Sequence, residues 1–385
     1  MNIVNHKFIV WGFEHYNPLG IVRSLGEEGI KSYVIIIRGT TGPITSVSKY
    51  IKEKFFVDSA EEGYELLLEK FGENESDKPF VITSDDTVTS LIDMRYEELK
   101  DKFVFFNAGE NGRITFYMDK SNINELAKKH GLKVLPTYRV KIGEIPDDIE
   151  FPVITKAVSS IKPGWKANVF VCHNRNELLE AYKHIQSEEI LLQKYLTKKN
   201  ELCLDGFSVA NGRELSITIA SNYNSVNKSS YSNNMTIFKL DNPDIEIPLR
   251  SMMREIGFEG IWSTEFLVDQ NNDLFFLEVN FRNSTWSYAA TCLGMNMVIA
   301  WSKGMWSGKI PQDFEKNIPT GYMAIAELED YRDRVKTHKI SLIRWLRELK
   351  KYDCKFLYNK WDMKPFWSAI FSIIKRKTRK LLHRT

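Results

Sequence analysis

The chain has 385 residues, of which 43% are hydrophobic and 27% are charged, so it is long enough to form two or three globular domains. Its formal net charge of +3 is too small to indicate nucleic-acid binding, and we expect no nucleic-acid partner. The four cysteines lack the spacing of a zinc or redox site, which favours a reducing compartment; they are Cys172, Cys203, Cys292 and Cys354.

The N-terminal segment MNIVNHKFIVWGFEHYN lacks the basic start and the long apolar run of a signal peptide. No stretch of the sequence approaches the ~20 apolar residues that a bilayer-spanning helix needs. We therefore expect a cytoplasmic protein.

The first third of the chain alternates short apolar runs with amphipathic segments, which predicts a parallel sheet with helices packed on it. The predicted strands are 7–12, 32–37, 53–58, 78–83 and 102–106, and the predicted helices are 18–29, 60–72 and 86–100. The first turn, GFEHYNPLG, lacks the G-x-G-x-x-G spacing of a dinucleotide site, and the second strand ends in Arg38 where such sites carry an acidic residue.

The pattern changes after about residue 110, where a helix starting near Asp119 leads through a turn at Gly131 into a strand. Two further strands, within 151–172, are joined by a loop that contains Lys162, and Lys156 ends the first of them. A lysine at a strand end beside such a loop suits phosphate oxygens. The alternative is a surface hairpin with solvated lysines.

Residues 189–220 read as an apolar strand, a polar kink and two long strands. Backbone groups of Gln193, Lys194 and Tyr195, in the kink, are placed to read a purine edge. Glu201 opens the next strand and either bonds ribose hydroxyls or is an exposed strand-end charge. We expect Asp205 and the glycine after it to shape a turn or bulge.

Segment 221–234 has ten Ser or Asn residues in fourteen, a composition that predicts a mobile loop rather than a core segment. It is either a lid or acceptor-specificity loop or an inert surface loop.

Two strands joined by the hairpin DQNND follow. Glu265 and Glu278 lie 13 residues apart across this hairpin, so they face each other on paired strands and repel unless a cation lies between them. Asn280 and Arg282 continue the same face, because side chains alternate along a strand. The oxygen ligands of this face suit Mg²⁺, whereas the simplest alternative is an amphipathic strand with a wet face.

The order of these segments resembles the ATP-grasp superfamily, with FLEVNFR similar to its E-x-N-x-R strand and the likeness extending over about 110–310. The segments SDDTVTSLIDMRYEEL and WSYAATCLGMNM resemble the carboxylate–amine ligase branch, which includes D-aspartate ligase-like and surface-polymer-modifying members. The sequence departs from the family in two places. Loop 159–168 has a single glycine where relatives are glycine-rich, and Lys194 stands where many relatives carry an acidic residue.

The resemblance implies an α/β and α+β fold in which a parallel-sheet α/β (pre-ATP-grasp) domain precedes a two-lobed ATP-grasp fold. The implied domains are the parallel-sheet domain 1–110, the small lobe with its connecting helix 111–195, the large lobe 196–325, and a C-terminal helical extension with a basic tail 326–385.

The resemblance also implies the site residues. Phosphates would be contacted by Lys120, Lys156 and Lys162. Adenine would be held by Gln193, Lys194, Tyr195 and Leu196, and ribose by Glu201. One or two Mg²⁺ ions, with Mn²⁺ as an alternative, would be bound by Glu265, Glu278 and Asn280. Arg282 would stabilise an acylphosphate and the tetrahedral intermediate.

The implied activity is ATP-dependent carboxylate–amine ligation through an acylphosphate, releasing ADP and phosphate, on a surface-polymer precursor or another substrate. The implied partners are a small-molecule or sugar-linked carboxylate and an amine, and an oligomer is compatible with the sequence. Two alternatives remain, a non-catalytic nucleotide-binding protein and an ATP-dependent kinase. No motif specifies the carboxylate or the amine.

The C-terminus combines apolar residues at near-helical spacing with six Lys or Arg in its last eleven residues. Segment 365–385 therefore suits an anionic membrane surface, which would place the protein at the inner membrane face. The alternative is a helix docked on the body with a solvated basic tail. The segment WDMKPF resembles the C-terminal segments of ligases from surface-polymer gene clusters.

Overall fold

A computed structural model describes residues 3–39, 41–73, 77–158, 168–225 and 233–382. Its N-terminal part is a five-stranded, wholly parallel sheet in the order β3-β2-β1-β4-β5, which confirms the predicted sheet. The strands are β1 (Phe8–Phe13), β2 (Ser32–Ile37), β3 (Ile51–Val57), β4 (Phe80–Thr83) and β5 (Val104–Phe105). The helices are α1 (Tyr16–Glu27), α2 (Ala60–Phe71), α3 (Asp86–Asp93), α4 (Tyr96–Leu99) and α5 (Arg113–Tyr117).

The single helix predicted over 86–100 is two helices, α3 and α4, separated at residues 94 and 95. The last residue of α3, Asp93, accepts the backbone N–H groups of Ile114 and Thr115. This contact fixes the end of α3 against the start of α5.

Strand order reverses between β1 and β4, and ligands of open α/β sheets bind at the carboxyl ends of the strands flanking such a point. The two strands approach closely there, because a Cβ on Gly12 would lie 2.2 Å from the Ser84 hydroxyl oxygen. Asp85 then caps α3 by accepting the backbone N–H groups of Thr87 and Val88. The start of α3 is thus held rigidly beside the end of β1.

A four-stranded antiparallel sheet follows, in the order β6-β9-β7-β8. The helix predicted to start near Asp119 is present, and Asp119 caps it by accepting the backbone N–H of Ser121. The elements are α6 (Lys120–Lys129), β6 (Thr137–Lys141), β7 (Val153–Lys156), β8 (Val171–Cys172), α7 (Arg175–Tyr182) and β9 (Glu189–Lys194). Residues 159–167, which include Lys162, lie outside the described residues.

The largest sheet has seven strands in the order β14-β13-β10-β11-β12-β15-β16. The strands are β10 (Asn200–Val209), β11 (Glu214–Tyr223), β12 (Asn234–Phe238), β13 (Gly260–Val268), β14 (Leu274–Asn280), β15 (Met323–Ile325) and β16 (Cys354–Lys355). The helices among them are α8 (Pro243–Ile256), α9 (Ser287–Cys292) and α10 (Met297–Ser307). The predicted bulge is present, since the register of β10 against β11 shifts between Asp205 and Gly206.

The prediction of a loop over 221–234 is wrong at both ends, because residues 221–223 complete β11 and Asn234 begins β12. The Asn234 side chain is buried against Asp330. Residues 226–232 lie outside the described residues, so a lid role stays a prediction.

The resemblance implies a helical C-terminal extension. The extension also contains a strand, because β16 pairs in parallel with β15 at the edge of the seven-stranded sheet. Its helices are α11 (Glu327–Asp330), a π-helical turn (Tyr331–Val335), α12 (Leu342–Glu348), a 3₁₀ turn (Leu349–Lys351) and α13 (Lys364–Leu382). Among the described residues, no helix combines the length and the apolar character that crossing a membrane requires. The division of the chain into the four domains above stays a prediction.

Candidate active site

The paired carboxylates form the centre of the site. Glu265 on β13 lies directly opposite Glu278 on β14 in the antiparallel register, which confirms the predicted pairing. Within the described residues the Glu265 side chain has no hydrogen-bond or ion-pair partner. Burial, and then the charges of Glu278 and Glu201, raise the pKa of Glu265 well above its usual range.

Two lysines, Lys120 and Lys156, lie close enough to these carboxylates to act on their charge. Lys120, the first residue of α6, forms an ion pair with Glu278. Burial alone would raise the pKa of Glu278, but Lys120 and Lys156 outweigh burial and lower it. Burial and the charge of Lys120 together lower the pKa of Lys156 to about 8.

Glu201 is buried, which argues against an exposed strand-end charge. Its carboxylate accepts a hydrogen bond from the Lys198 ammonium at 3.0 Å. The sequence prediction missed Lys198, although its spacing of three residues from Glu201 was a usable signal.

The segment 193–196 presents its residues to different sides. Gln193 accepts a hydrogen bond from the Lys156 ammonium at 2.7 Å, so it faces the lysines. The Lys194 side chain pairs with Glu150 at 3.0 Å on the opposite face of the sheet, which leaves only its backbone for a ligand in the site.

The backbone of this segment is partly committed. Lys194 N–H donates to Pro136 and Tyr195 N–H donates to Pro152, each at 2.9 Å. In the described part of the chain, the N–H of Leu196 has no such partner. Leu196 N–H is therefore a backbone donor of this segment that the described part of the protein leaves unused.

Arg282 lies just past β14, at the boundary with the N-terminal sheet. Its Nε donates to Asp86 at 2.6 Å, and its Nη2 donates to both Asp86 and Asn280, at 3.3 Å and 3.2 Å. The sequence prediction gave no role to Asp86, although SDDTVTSLIDMRYEEL was among the segments that carried the resemblance. Sequence spacing gave no signal for the contact itself, since 196 residues separate the partners.

The side-chain oxygens of this site suit a divalent cation if a bound nucleotide supplies further oxygen ligands. Among the residues that the structure describes, no three His, Cys, Asp or Glu side chains cluster as a metal site. Two facing carboxylates are present, however, and the unpartnered Glu265 is strongly destabilised as an anion. Mg²⁺ commonly takes one or two carboxylates and completes its shell with water and nucleotide phosphates. The carbonyl oxygen of Asn280 would contribute its second lone pair, because the first accepts from Arg282.

No family model matches the chain. N5-carboxyaminoimidazole ribonucleotide synthase of Staphylococcus aureus (strain COL) is 27% identical over 177 residues, or 43% of this chain and 45% of the relative. The match thus spans less than half the length of this curated relative.

Solved structures match over more of the chain. N5-carboxyaminoimidazole synthetase of S. aureus superposes with a TM-score of 0.62 at 16% identity, covering 86% of each chain. L-amino acid ligase of Bacillus licheniformis has a TM-score of 0.60 at 13% identity, covering 78% of this chain and 74% of its own.

The third structure is the biotin carboxylase domain of Hydrogenobacter thermophilus 2-oxoglutarate carboxylase, in complex with MgADP, ADP and bicarbonate. It has a TM-score of 0.61 at 18% identity, covering 82% of this chain and 73% of its own. The D-aspartate ligase-like branch stays a prediction, but the chain has the ATP-grasp fold, as its sequence resemblance predicts.

Proposed function

We propose that the chain is an ATP-dependent carboxylate–amine ligase that forms an amide and releases ADP and phosphate. The observation that carries the proposal is the convergence of two lysines, two facing carboxylates and an arginine between the four-stranded and the seven-stranded sheet. These residues are Lys120, Lys156, Glu265, Glu278 and Arg282. The MgADP complex of the biotin carboxylase domain supports ATP and Mg²⁺ as the ligands of this site.

The nucleotide would lie along the lysine side of the site. Lys120 and Lys156 would contact the phosphates, as would Lys162 from the loop outside the described residues. Adenine would be held by the segment from Gln193 through Lys194 and Tyr195 to Leu196, mainly by backbone groups. Glu201, buried and held by Lys198, would accept the ribose hydroxyls.

Carboxylate activation explains the need for so many positive charges. A free carboxylate is a poor acyl donor because its leaving group would be an oxide. Transfer of the γ-phosphoryl group forms an acylphosphate, whose leaving group is phosphate. The lysines offset the charge of the transferring group. Mg²⁺ held by Glu265, Glu278 and Asn280 would supply further charge neutralisation at the phosphoryl oxygens.

Amide formation would complete the reaction at Arg282. The amine nitrogen attacks the acyl carbon, the bond from that carbon to the phosphate oxygen breaks, and the nitrogen loses a proton. Arg282 would hold the oxyanion that develops during the attack. Exclusion of water protects the acylphosphate from hydrolysis.

The substrate class is a finer proposal. We place a small-molecule or sugar-linked carboxylate and an amine at the Arg282 end of the site, with a surface-polymer precursor as the leading candidate. A kinase or a non-catalytic nucleotide-binding protein is the alternative. The experiment that decides is a pairwise screen of carboxylates and amines for ADP release, with mass spectrometry of the products. An amide supports the ligase, a phosphate ester indicates a kinase, and ATP binding without any product indicates a binding protein.

Two variants then test the residue roles on an authentic substrate pair. Glu278→Gln should abolish turnover and weaken Mg-ATP binding, whereas Glu214→Gln, at an exposed strand position, should change neither. Arg282→Ala should leave ATP affinity within a few-fold and lower kcat by roughly 10²-fold, the scale for losing an oxyanion donor. Near-normal turnover by Glu278→Gln would show that the metal assignment is wrong.

A second proposal concerns location: we propose a cytoplasmic enzyme that binds the inner membrane face through 365–385. The first turns of α13 dock on the body, where the Ser368 hydroxyl donates to the carbonyl of Pro43 and Ala369 is buried. Trp367 and Phe371 lie one helical turn apart, and 49% and 65% of their surfaces remain exposed. Lysine and arginine dominate the sequence from residue 375 onward, and each basic residue near an anionic surface contributes about 1 kcal/mol.

Vesicle binding tests this location. The full chain should bind anionic vesicles, more weakly at high salt but without complete loss, because apolar insertion is not screened. Exchanging Trp367 and Phe371 for serine should abolish the vesicle binding that persists at high salt. The matched control exchanges Ile343 and Leu346, which are exposed on α12, for serine and should bind like the unmodified chain. Equal loss in both variants, or no binding by the full chain, would contradict the proposal.

A further inference from the structure

The contact between Asp86 and Arg282 joins the N-terminal sheet to the end of β14. A guanidinium carries five N–H donors. Nε gives its single N–H to Asp86, and Nη2 divides its two between Asp86 and Asn280. Within the described residues, the two N–H groups of Nη1 have no partner. The side chain is thus clamped along one edge while the other edge keeps its donors.

We propose that Asp86 is the positioning residue for Arg282. It fixes the guanidinium so that Nη1 is offered to the oxyanion of the activated carboxyl group and of the tetrahedral intermediate. This inference rests on the proposed function of Arg282. It assigns the N-terminal sheet a direct part in the chemistry, because Asp86 stands at the carboxyl end of β4.

Asp86 is suited to this task because its own position is fixed. It is the first residue of α3, where the helix N-terminus favours a negative charge. The residue before it caps the helix, and the close approach of Gly12 and Ser84 holds β4 against β1. Asp86 and Arg282 are also well shielded, with 16% and 19% of their side chains exposed. An arginine held in this way starts the reaction already oriented.

Electrostatics favours the same role. Burial alone would lower the pKa of Arg282, but Asp86 outweighs burial and raises it, so the group stays cationic. Asp85 and Glu278 add to this effect at longer range. A neutral residue at position 86 would remove both the nearest charge and the two-point contact.

The test compares Asp86→Asn and Asp86→Ala with a matched control. Asp58→Asn serves as the control, because Asp58 also pairs with an arginine, Arg38, but on the surface. With an authentic substrate pair, Asp86→Asn should lower kcat about 10-fold and Asp86→Ala about 100-fold. Both should leave the Kd for Mg-ADP within about 3-fold of the unmodified chain. Partial retention by Asn is expected because its amide oxygen still accepts from Nε.

A double variant separates positioning from a purely structural contact. If Asp86 acts through Arg282, Asp86→Asn combined with Arg282→Ala should be no slower than Arg282→Ala alone. A structural contact would instead lower the melting temperature and make the two effects on kcat multiply. Multiplied effects, or an unchanged kcat in Asp86→Ala, would overturn the inference.

A readout without turnover keeps the inference separate from the proposed function. Inorganic phosphate, titrated calorimetrically into the Mg-ADP-loaded chain, probes the anion site at Nη1. Its affinity should fall by about 5- to 10-fold in both Asp86→Asn and Arg282→Ala, and stay unchanged in Asp58→Asn. Failure of every substrate pair would defeat the proposed function alone, whereas phosphate affinity unchanged in Asp86→Asn would defeat the role of Asp86.

Discussion

Lys156 shows how a single residue of this site is tuned. Its ammonium is buried beside a second lysine, and the two effects lower its pKa to about 8. The nearby carboxylates, Glu278 first, oppose this shift without cancelling it. Lys156 is therefore partly neutral in the free protein at mildly alkaline pH, although its proposed role requires a charge.

Nucleotide binding should consequently take up a proton at Lys156. A phosphate beside the amine favours the ammonium and raises its pKa, so uptake approaches one proton at about pH 9 and is small at pH 7. Affinity should fall as pH rises through about 8. Calorimetry of Mg-ADP binding in two buffers of different ionisation enthalpy measures the uptake. Lys156→Arg is the control, since arginine stays charged throughout. Uptake that persists in that variant would assign the proton to another group.

At the residue scale, sequence reasoning succeeded where partners are close along the chain. Glu265 and Glu278 flank a short hairpin, and their pairing follows from strand register. The role of Asp86 was not predicted, because its partner Arg282 is 196 residues away in the sequence. Only the packing of two sheets brings the two residues together. The opposed orientation of Lys194 was within reach, because neighbours on a strand face opposite sides.

At the scale of elements, Asp205 links β10 to the start of α9 and to the segment just before it. Its Oδ1 accepts hydrogen bonds from the hydroxyls of Ser284 and Ser287. Its Oδ2 is buried and has no hydrogen-bond partner among the described residues. Burial raises the pKa of Asp205 to about 6. At neutral pH the folded protein therefore contains an ionised carboxylate that lacks a hydrogen bond at Oδ2, and this lowers the free energy of unfolding.

Asp205→Asn should therefore stabilise the protein above pH 6. Because the folded pKa lies above the usual value of 3.8, the folded state binds more protons than the unfolded state between these values. The stability of the unmodified chain falls as pH rises from about 4 to about 6 and stays lower above that. The gain at pH 7.5 has an upper limit of about 3 kcal/mol. Urea unfolding at pH 4 and pH 7.5 measures it, and a gain of equal size at both pH values would contradict the titration of Asp205.

A second link between elements joins α9 to the C-terminal extension. Cys292 and Cys354 lie 62 residues apart, yet their Sγ atoms are 2.8 Å apart. Oxidised glutathione should convert the two thiols into a disulfide, becoming two molecules of glutathione as it takes up their electrons and protons. The product would be 2 Da lighter, by intact mass. Cys203→Ser, at a buried cysteine, should oxidise normally, whereas Cys292→Ser should not. A glutathione adduct without the disulfide would show that the thiols cannot join.

Elements were predictable from sequence in proportion to their length and apolar content. Among the parallel strands, β1, β2 and β4 are short and almost wholly buried, and the structure has all five strands near their predicted bounds. Strand β16 has only two residues, too few for a periodicity that would indicate a strand within the predicted helical extension. At the break between α3 and α4, Asp93 contacts the start of α5, and such a contact with a later element is not visible in the local sequence pattern.

For the whole molecule, the C-terminal extension is part of the core rather than an appendage. Arg23 of α1 and Asp362 form an ion pair at 3.1 Å with neither side chain exposed. Arg23 also donates to the carbonyls of Phe356 and Leu357, and Ser48 donates to Asp362. This network ties the C-terminal extension to the N-terminal part of the chain across 339 residues.

Asp362→Asn should destabilise the whole protein by about 3 kcal/mol, because breaking a buried ion pair leaves the Arg23 charge buried without a compensating anion. Asp58→Asn removes the carboxylate of an exposed Arg–Asp pair and should cost less than about 1 kcal/mol. Urea unfolding followed by tryptophan fluorescence compares the two variants. A chain ending at Lys364 keeps Asp362 but loses the buried Ala369, so it should unfold at a lower urea concentration than the full chain. A chain ending at Lys351 loses Asp362 as well and should be less stable still. If Asp362→Asn and Asp58→Asn unfold at the same urea concentration, the extension is a dispensable tail.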